Sequence, residues 1–295
     1  MKRNIFLRFL LVAALVVAVV APFTFVVPKP QLVNEESANL AKETPEPKKE
    51  VTPTPVVVKV IEKPLHSVNL PDFSVIYDIP TKKRRFFEFI KPAIDAKNTK
   101  LAMQRAQLEY WHEQVSLGFG LTQEEQALLQ PLIKAYRINE NSSTMKQIND
   151  LLMRVDIIPT SLVLVQAANE SAWGTSRFAR IGLNFFGIWC YREGCGMVPG
   201  GRNTGAKHEV AAFQSVDAAV AGYFNNINKH NAYHVFRTIR SELRAQNQPL
   251  SAEILATGLL PYSERGAHYV LDITDMLRHN QRYFVEPGNN TAAAD

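Results

Sequence analysis

The chain is poor in cysteine and lacks the short motifs of several large enzyme classes. Its 295 residues include two cysteines, and a C-x4-C pair lacks the two further ligands that a structural zinc site needs. We find no P-loop, no Rossmann glycine fingerprint, no G-x-S-x-G elbow and no H-E-x-x-H pair. His230 and His234 are spaced as H-x3-H without an evident third ligand nearby. We therefore expect no metal and no cofactor.

Charge is absent from one long stretch near the N-terminus. No charged residue occurs from Phe9 to Val27, and three basic residues precede this stretch. Its length suits a membrane-spanning helix, and the basic flank predicts that the rest of the chain is exported. A cleaved signal peptide is the alternative, although Pro22 follows the small Ala21 without an A-x-A site. We expect residues 1–27 to be an anchor or a signal, and the anchor to hold the protein on a membrane.

A nucleic-acid-binding signature is also missing. The net charge is +5, and such a modest basic excess favours an anionic partner such as a membrane surface or a wall polymer. Without a recognisable binding motif, nucleic acid is not an expected partner. The basic patch over residues 82–85 is interpreted as solvated surface, with attraction to anionic lipid or wall as the alternative.

Proline, lysine, glutamate and threonine dominate residues 28–64. A tract of this composition cannot bury a core and is expected to be an extended or disordered tether. From about residue 84 the apolar spacing is helical. Pro92 is expected to break or offset the first helix, and Thr122 with Glu125 forms a capping-box pattern. Thr160 or Ser161 is expected to cap a fourth helix. Later amphipathic stretches cover 215–229, 231–245 and 266–283.

The glycine-rich segment from Gly187 to Ala212 has no helical period. We expect a loop or a short β-hairpin there, around residues 208–213. Cys190 and Cys195 lie within it, and an exported chain can oxidise them. A disulfide is expected, with two free thiols as the alternative.

One carboxylate stands at the end of a buried-looking helix. The stretch that contains it reads VLVQAANESAWGTS and is apolar on nearly all sides, which is typical of a buried helix. Gln166, Asn169, Glu170 and Trp173 fall broadly on one side of it. Desolvation beside Trp173 and the negative end of the helix should both raise the pKa of Glu170. A protonated acid of this kind can donate to the leaving oxygen of a glycosidic bond. A capping or ion-paired glutamate is the structural alternative.

These residues resemble the glucosaminidase family of bacterial peptidoglycan hydrolases, which includes N-acetylglucosaminidase autolysins. The resemblance extends from about residue 140 to 284. The family pattern is met by Gln166, Ala167, Glu170, Ser171, Trp173, Gly174, Asn184, Phe186, Gly187 and Ile188.

The resemblance implies a mainly α (α+β) fold, with a lysozyme-like helical domain and a small β-hairpin lobe across a substrate groove. It also implies that Glu170 is the general acid, that the substrate is the glycan strands of peptidoglycan, and that the exported domain lies in the periplasm. Beyond the anchor and the tether, we expect a helical extension over 65–140, a catalytic domain over 141–286 and a disordered tail over 287–295.

The family often has a second carboxylate in the β-lobe, and here the match weakens. Glu209 is the slightly preferred candidate and Glu193 is the other. The 2-acetamido group of the substrate can replace such a carboxylate in some glycosidases, so the stereochemical course stays open.

Further site residues follow from the resemblance. Tyr269 would face the acid and help position substrate or water. The expected substrate-binding residues are Gln166, Trp173, Asn184, Phe186, Trp189 and Tyr262. The predicted function is that of an endo-β-N-acetylglucosaminidase. The alternatives are a lytic transglycosylase and a wall-binding or scaffold protein whose site is idle.

Overall fold

The computed structural model describes residues 62–200, 205 and 207–284. The expected anchor over 1–27, nearly all of the tether over 28–64 and the tail over 287–295 lie outside these residues. Within the described ranges, no helix has both the length and the apolar character that a membrane crossing requires.

Helix α1, Ile79–Ser116, is 38 residues long and forms the N-terminal arm of the structure. Asp78 caps it by accepting a hydrogen bond from the backbone N–H of Thr81, at 2.9 Å. Pro92 was expected to break or offset this helix, and a break is wrong, because the helix continues through it. Pro92 lies on the exposed side, while Ile90 and Ala93 hold the helix on the core at either side of the proline.

Helix α2, Gln123–Tyr136, begins with the predicted capping box. The Thr122 N–H donates to Glu125 Oε2 at 2.9 Å, and the Glu125 N–H donates to Thr122 Oγ1 at 3.2 Å. These two reciprocal bonds satisfy backbone N–H groups that have no partner inside α2.

Helix α3, Thr144–Arg154, is capped by the Ser143 hydroxyl.

Helix α4, Thr160–Ser171, is the predicted buried helix, but its cap was predicted wrongly. Pro159 occupies the N-cap position and offers no side-chain acceptor. The Thr160 hydroxyl instead donates to Asp95 Oδ1 of α1, at 2.9 Å. Nearly every residue from Leu162 to Ala168 is inaccessible to water, so α4 is the central element of the helical body.

The predicted β-segment contains three short strands that follow helix α5, Arg177–Gly182. They are β1, Trp189–Cys190, β2, Gly196–Met197, and β3, Glu209–Ala211, in the antiparallel order β1-β3-β2. The predicted disulfide between Cys190 and Cys195 is confirmed, with the two Cα atoms 6.3 Å apart. A Cβ on Gly196 would lie 1.9 Å from the carbonyl oxygen of Val210, so the close approach of β2 to β3 requires glycine there.

The chain then returns to helices, and the predicted fold class, mainly helical with a small β-lobe, is confirmed. The helices are α6, Val216–Lys229, α7, His234–Ala245, α8, Ala252–Ala256, and α9, Ala267–His279. Short 3-10 helices cover Phe73–Val75, Asn231–Tyr233, Thr257–Tyr262 and Gln281–Tyr283. The 3-10 turn between α6 and α7 separates His230 from His234, so the two rings do not share the face of one continuous helix.

One hydrophobic cluster spans both predicted helical regions. Helix α1 packs against α3, α4 and α6. Leu101 and Leu108 of α1 are fully buried in the same cluster as Leu151 of α3 and Val163 of α4. Residues 65–140 and the described residues of 141–284 therefore share a core.

A cluster of charged side chains is centred on a buried carboxylate just after the end of α3. Asp156 is 1% exposed. Its carboxylate lies 3.2 Å from Nη1 of Arg105 in α1, and 2.8 Å from Nη2 of Arg244 and 3.7 Å from Nε of Arg240 in α7. A single carboxylate thus joins the N-terminal arm to α7.

Candidate active site

Glu170 is the penultimate residue of α4, and a tight turn follows it. The residues after the helix, Ala172, Trp173 and Gly174, have φ angles of 49°, 58° and 77°. The left-handed region costs a non-glycine residue roughly 1–2 kcal/mol, so this turn persists because its surroundings enforce it. A Cβ on Gly174 would lie 2.6 Å from the Phe73 ring, which shows how closely the turn is packed.

The Glu170 carboxyl is half-buried, and its surroundings favour the protonated form. Burial raises its pKa, while hydrogen bonds from Asn169 and Tyr269 and the charge of Arg265 lower it by less. Asn169 Nδ2 donates to Glu170 Oε1 at 3.1 Å. The balance matches the direction expected for a proton donor near the end of a buried helix.

A buried polar chain lies behind the acid. The Tyr223 hydroxyl donates to Gln166 Oε1, and Gln166 Nε2 donates to the Tyr269 oxygen at 2.9 Å. Burial raises the pKa of Tyr269, so its hydroxyl stays neutral beside Glu170. Gln166 is 0% exposed, which corrects the expected substrate contact. Its amide forms a hydrogen bond with each of the two tyrosines, so Gln166 supports the site from inside.

Phe186 also lies in the interior. Its ring is 0% exposed and stacks on Tyr223 with ring centroids 4.5 Å apart. The expected sugar contact of Phe186 is therefore corrected, since no face of its ring is open. Its carbonyl oxygen accepts a hydrogen bond from the Tyr262 hydroxyl at 2.7 Å, and Tyr262 stacks on Tyr269 at 5.5 Å.

Asn184 fixes the conformation of the loop that faces Glu170. Its Nδ2 donates to the carbonyl oxygens of Ile188 and Ala211, both at 2.8 Å, and its Oδ1 accepts from the N–H of Ile188 at 3.0 Å. Asn184 is buried, so the expected substrate contact is corrected to a role in holding the loop. The loop brings Gly187 to the acid: a Cβ placed there would lie 3.7 Å from Glu170 Oε2.

An aromatic cleft starts at Gly187 and runs between β1 and the 3-10 helices Asn231–Tyr233 and Thr257–Tyr262. Its volume is about 240 Å³. The Trp189 side chain is 49% exposed and contacts the His208 ring, with centroids 4.5 Å apart. Exposed aromatic faces of this kind suit the apolar faces of sugar rings. The residues that line the cleft include Gly187, Trp189, Tyr191, His230, Tyr233 and Tyr262.

A second pocket, which we call the Lys83 pocket, lies on the Asn169 side of the acid. Its volume is about 420 Å³, and it is lined by Lys83, Asn169, Trp173, Asp272, Asp275, Met276, His279 and Asn280. Trp173 is half-buried and packs against Phe86 and Phe87 of α1, with ring centroids at 5.8 and 5.3 Å. Each pocket is thus lined by a residue close to Glu170, Gly187 in the aromatic cleft and Asn169 in the Lys83 pocket.

Comparison with known proteins agrees with this arrangement. Residues 145–282 match the Glucosaminidase family, described as mannosyl-glycoprotein endo-beta-N-acetylglucosaminidase. Protein bax of Escherichia coli (strain K12) is 34% identical to the chain over 217 residues, which are 73% of this chain and 76% of that protein. The chain belongs to the glucosaminidase family. The match to protein bax covers most of both chains, and no solved structure matches the chain.

The glucosaminidase segment contains Glu170, both stacked tyrosines and the aromatic cleft, but it contains no residue of α1. Lys83, which lines the second pocket, therefore comes from outside the family segment. Sequence reasoning missed it because a basic patch on a helix is usually solvated. It missed Tyr223 because a tyrosine at a helical spacing cannot be told from an ordinary core residue.

Within the β-lobe, the two candidates for a second carboxylate differ in their exposure and in their hydrogen bonds. Glu209 is 5% exposed and accepts hydrogen bonds from the N–H groups of Gly194 and Gly196, at 3.0 and 2.8 Å. It therefore holds the disulfide loop against β3. Glu193 is exposed on that loop.

Among the described residues, a single group of potential metal ligands occurs, and it is formed by Cys190, Cys195 and Glu209. The two sulfur atoms are bonded to each other, so neither is a thiolate that could hold a metal ion.

Proposed function

We propose that the protein hydrolyses the glycan strands of peptidoglycan as an endo-β-N-acetylglucosaminidase, with Glu170 as its general acid. Membership of the glucosaminidase family supports a glycan substrate and glycosidase-type chemistry. The observation that carries the proposal is the half-buried Glu170 carboxyl beside an aromatic cleft, with a pKa raised by burial.

In the proposed reaction, Glu170 gives its proton to the glycosidic oxygen as the bond to C1 of the sugar breaks. Glu209 is occupied by two backbone amides and Glu193 is exposed. The acetamido oxygen of the substrate is therefore the favoured partner for C1. Water then attacks C1, and the Glu170 carboxylate takes up the proton that the water loses.

We also propose that the protein acts in the periplasm. Residues 1–27 would hold it on the inner membrane, or would be removed as a signal. Fractionation of cells that make the full chain with a C-terminal tag distinguishes the two, since the anchored form is longer and sediments with membranes.

The test of the proposed function is digestion of purified sacculi by the full-length chain in detergent, with mass spectrometry of the released fragments. We expect soluble muropeptides with N-acetylglucosamine at the reducing end, and almost none from Glu170→Gln. Fragments with a 1,6-anhydromuramyl end would instead identify a lytic transglycosylase. Binding to sacculi without any release would identify a wall-binding protein with an idle site.

Tyr269→Phe should move the alkaline limb of the kcat/KM profile to higher pH. The Tyr269 hydroxyl lowers the pKa of Glu170. Its loss should therefore raise that pKa and keep Glu170 protonated up to a higher pH. One hydrogen bond corresponds to a shift of about 0.5–1 pH unit. Tyr262→Phe is the matched control, because that hydroxyl bonds to the Phe186 carbonyl and its loss should leave the limb in place. An unmoved limb in Tyr269→Phe would show that its hydroxyl does not act on the acid.

A further inference from the structure

The Lys83 pocket adjoins the candidate acid but differs chemically from the aromatic cleft. Its walls carry an ammonium group from Lys83, a carboxylate from Asp275 and the indole of Trp173. Asn169 lines the pocket and also donates to the Glu170 carboxyl at 3.1 Å. A ligand that extends from the reacting sugar past Asn169 would therefore enter a pocket with groups of both charge signs.

The Lys83 ammonium is held in place from two directions. Its Nζ donates to Asn280 Oδ1 at 2.9 Å and lies 5.1 Å from the centroid of the Trp173 ring. Asn280 is 2% exposed, and its own Nδ2 donates to the Met276 carbonyl at 2.7 Å, so this anchor is rigid. An ammonium has three donors, and Lys83 forms no ion pair with any carboxylate among the described residues. Its charge is thus half-buried, positioned and available to a ligand.

The packing of α1 keeps Lys83 at this position. Phe86 and Phe87, on the next turn of the same helix, contact the Trp173 ring. Asp275, on α9, supplies the opposite charge at the same pocket, whereas the neighbouring Asp272 is already paired with Arg265. The cation and the anion of this pocket therefore come from two different helices, α1 and α9.

We propose that the Lys83 pocket binds the peptide stem of the peptidoglycan strand, with the Lys83 ammonium in contact with a stem carboxylate. This inference rests on the proposed function. The sugar rings themselves offer hydroxyl and acetamido groups, for which an ammonium and a carboxylate are poor partners, and a strand without stems adds only the lactyl carboxylate of muramic acid. Stem peptides carry free carboxylates and an amino group, which match Lys83 and Asp275. Contact between a positioned ammonium and a carboxylate is among the stronger hydrogen bonds in proteins.

The experiment compares full-length wild type, Lys83→Met and Lys83→Arg on three soluble substrates. The first is a glycan strand with its stems. The second is the same strand stripped by an amidase, which leaves the lactyl carboxylate of muramic acid. The third is an uncharged chitin oligosaccharide. Lys82→Met removes the adjacent charge of the same helix turn and is the matched control.

We expect Lys83→Met to lower kcat/KM about tenfold on the stem-bearing strand alone, mainly through KM. Lys83→Arg should retain most of the activity, and Lys82→Met should behave as wild type. An equal loss on the stripped strand would overturn the inference in favour of the lactyl carboxylate. An equal loss on all three substrates would overturn it in favour of a structural role.

Binding measurements separate this inference from the proposed function. In the Glu170→Gln background, the stem-bearing strand should bind more tightly than the stripped strand, and Lys83→Met should abolish that difference. If wild type cleaves none of the substrates, the proposed function fails. The binding difference would then still support the stem site, and its absence would overturn it.

Discussion

Glu170→Gln is expected to lower kcat for glycan cleavage by about 10²–10⁴-fold, the usual contribution of a positioned general acid. Glutamine has nearly the same shape and can keep the contact with Asn169, but it has no proton to give at any working pH. The loss should therefore appear in kcat while binding of the strand is kept. The measurement is initial-rate kinetics on soluble glycan strands, beside single-turnover assays.

Glu193→Gln is the matched control, because Glu193 is exposed on the disulfide loop. This variant should retain the activity of wild type. Full activity in Glu170→Gln would remove the basis of the proposed mechanism, and a large loss in Glu193→Gln would identify Glu193 as the missing second carboxylate.

The stability of Glu170→Gln provides a fold check with a defined sign. Burial raises the pKa of Glu170 above its ordinary value of 4.5, so the folded state holds this proton more tightly than the unfolded state does. The contribution of this group to the free energy of unfolding is therefore present below pH 4.5 and falls as the pH rises through the raised pKa. Glu170→Gln cannot ionise at this position, so its free energy of unfolding does not fall in this way. Urea unfolding at neutral pH should therefore show that the variant is at least as stable as wild type.

Asp156→Asn should lower the free energy of unfolding by about 3–5 kcal/mol, because removal of one partner strands a buried charge. Arg240 is 1% exposed, and burial lowers its pKa to about 10 while the Asp156 charge raises it. Asparagine preserves the shape but removes the negative charge that Arg105, Arg240 and Arg244 share. Urea or thermal unfolding monitored by circular dichroism measures the change.

Asp150→Asn is the control for this prediction. Asp150 pairs with Lys146 on the same helix at 2.9 Å, but both side chains are solvent-accessible. Exposed pairs at this spacing contribute roughly 0.3–0.5 kcal/mol, so the unfolding midpoint should barely move. Equal destabilisation by both substitutions would show that burial does not account for the contribution of the Asp156 cluster to the free energy of unfolding.

Features that depend on neighbouring residues could be predicted from the sequence. The capping box of Thr122 and Glu125 needs only a three-residue spacing, and it is present. The disulfide was expected because an exported chain can oxidise two cysteines that lie five positions apart, and it is present. The buried helix that contains Glu170 follows from a run of apolar residues from Leu162 to Ala168 that only Gln166 interrupts. Each of these rests on a local pattern that tertiary packing did not override.

Features that depend on distant partners could not be predicted in this way. The motif placed Gln166 and Phe186 near the acid, but a motif does not tell which side of the backbone faces solvent, and both side chains are buried. Pro92 is tolerated because the helix around it is held on a core that only the folded chain creates. Lys83 acquires its surroundings from Trp173 and Asn280, which lie far from it in the sequence.

The left-handed turn after Glu170 limits which fragments of the chain can keep the conformation around this residue. Its Trp173 ring is held by Phe86 and Phe87, and its Gly174 fits against Phe73. All three phenylalanines precede the segment that the family shares. A fragment limited to residues 145–282 would lack the groups that hold the strained backbone in place. The segment that matches the family model is thus smaller than the part of the chain that packs together here, so we expect that segment alone not to keep the geometry around Glu170.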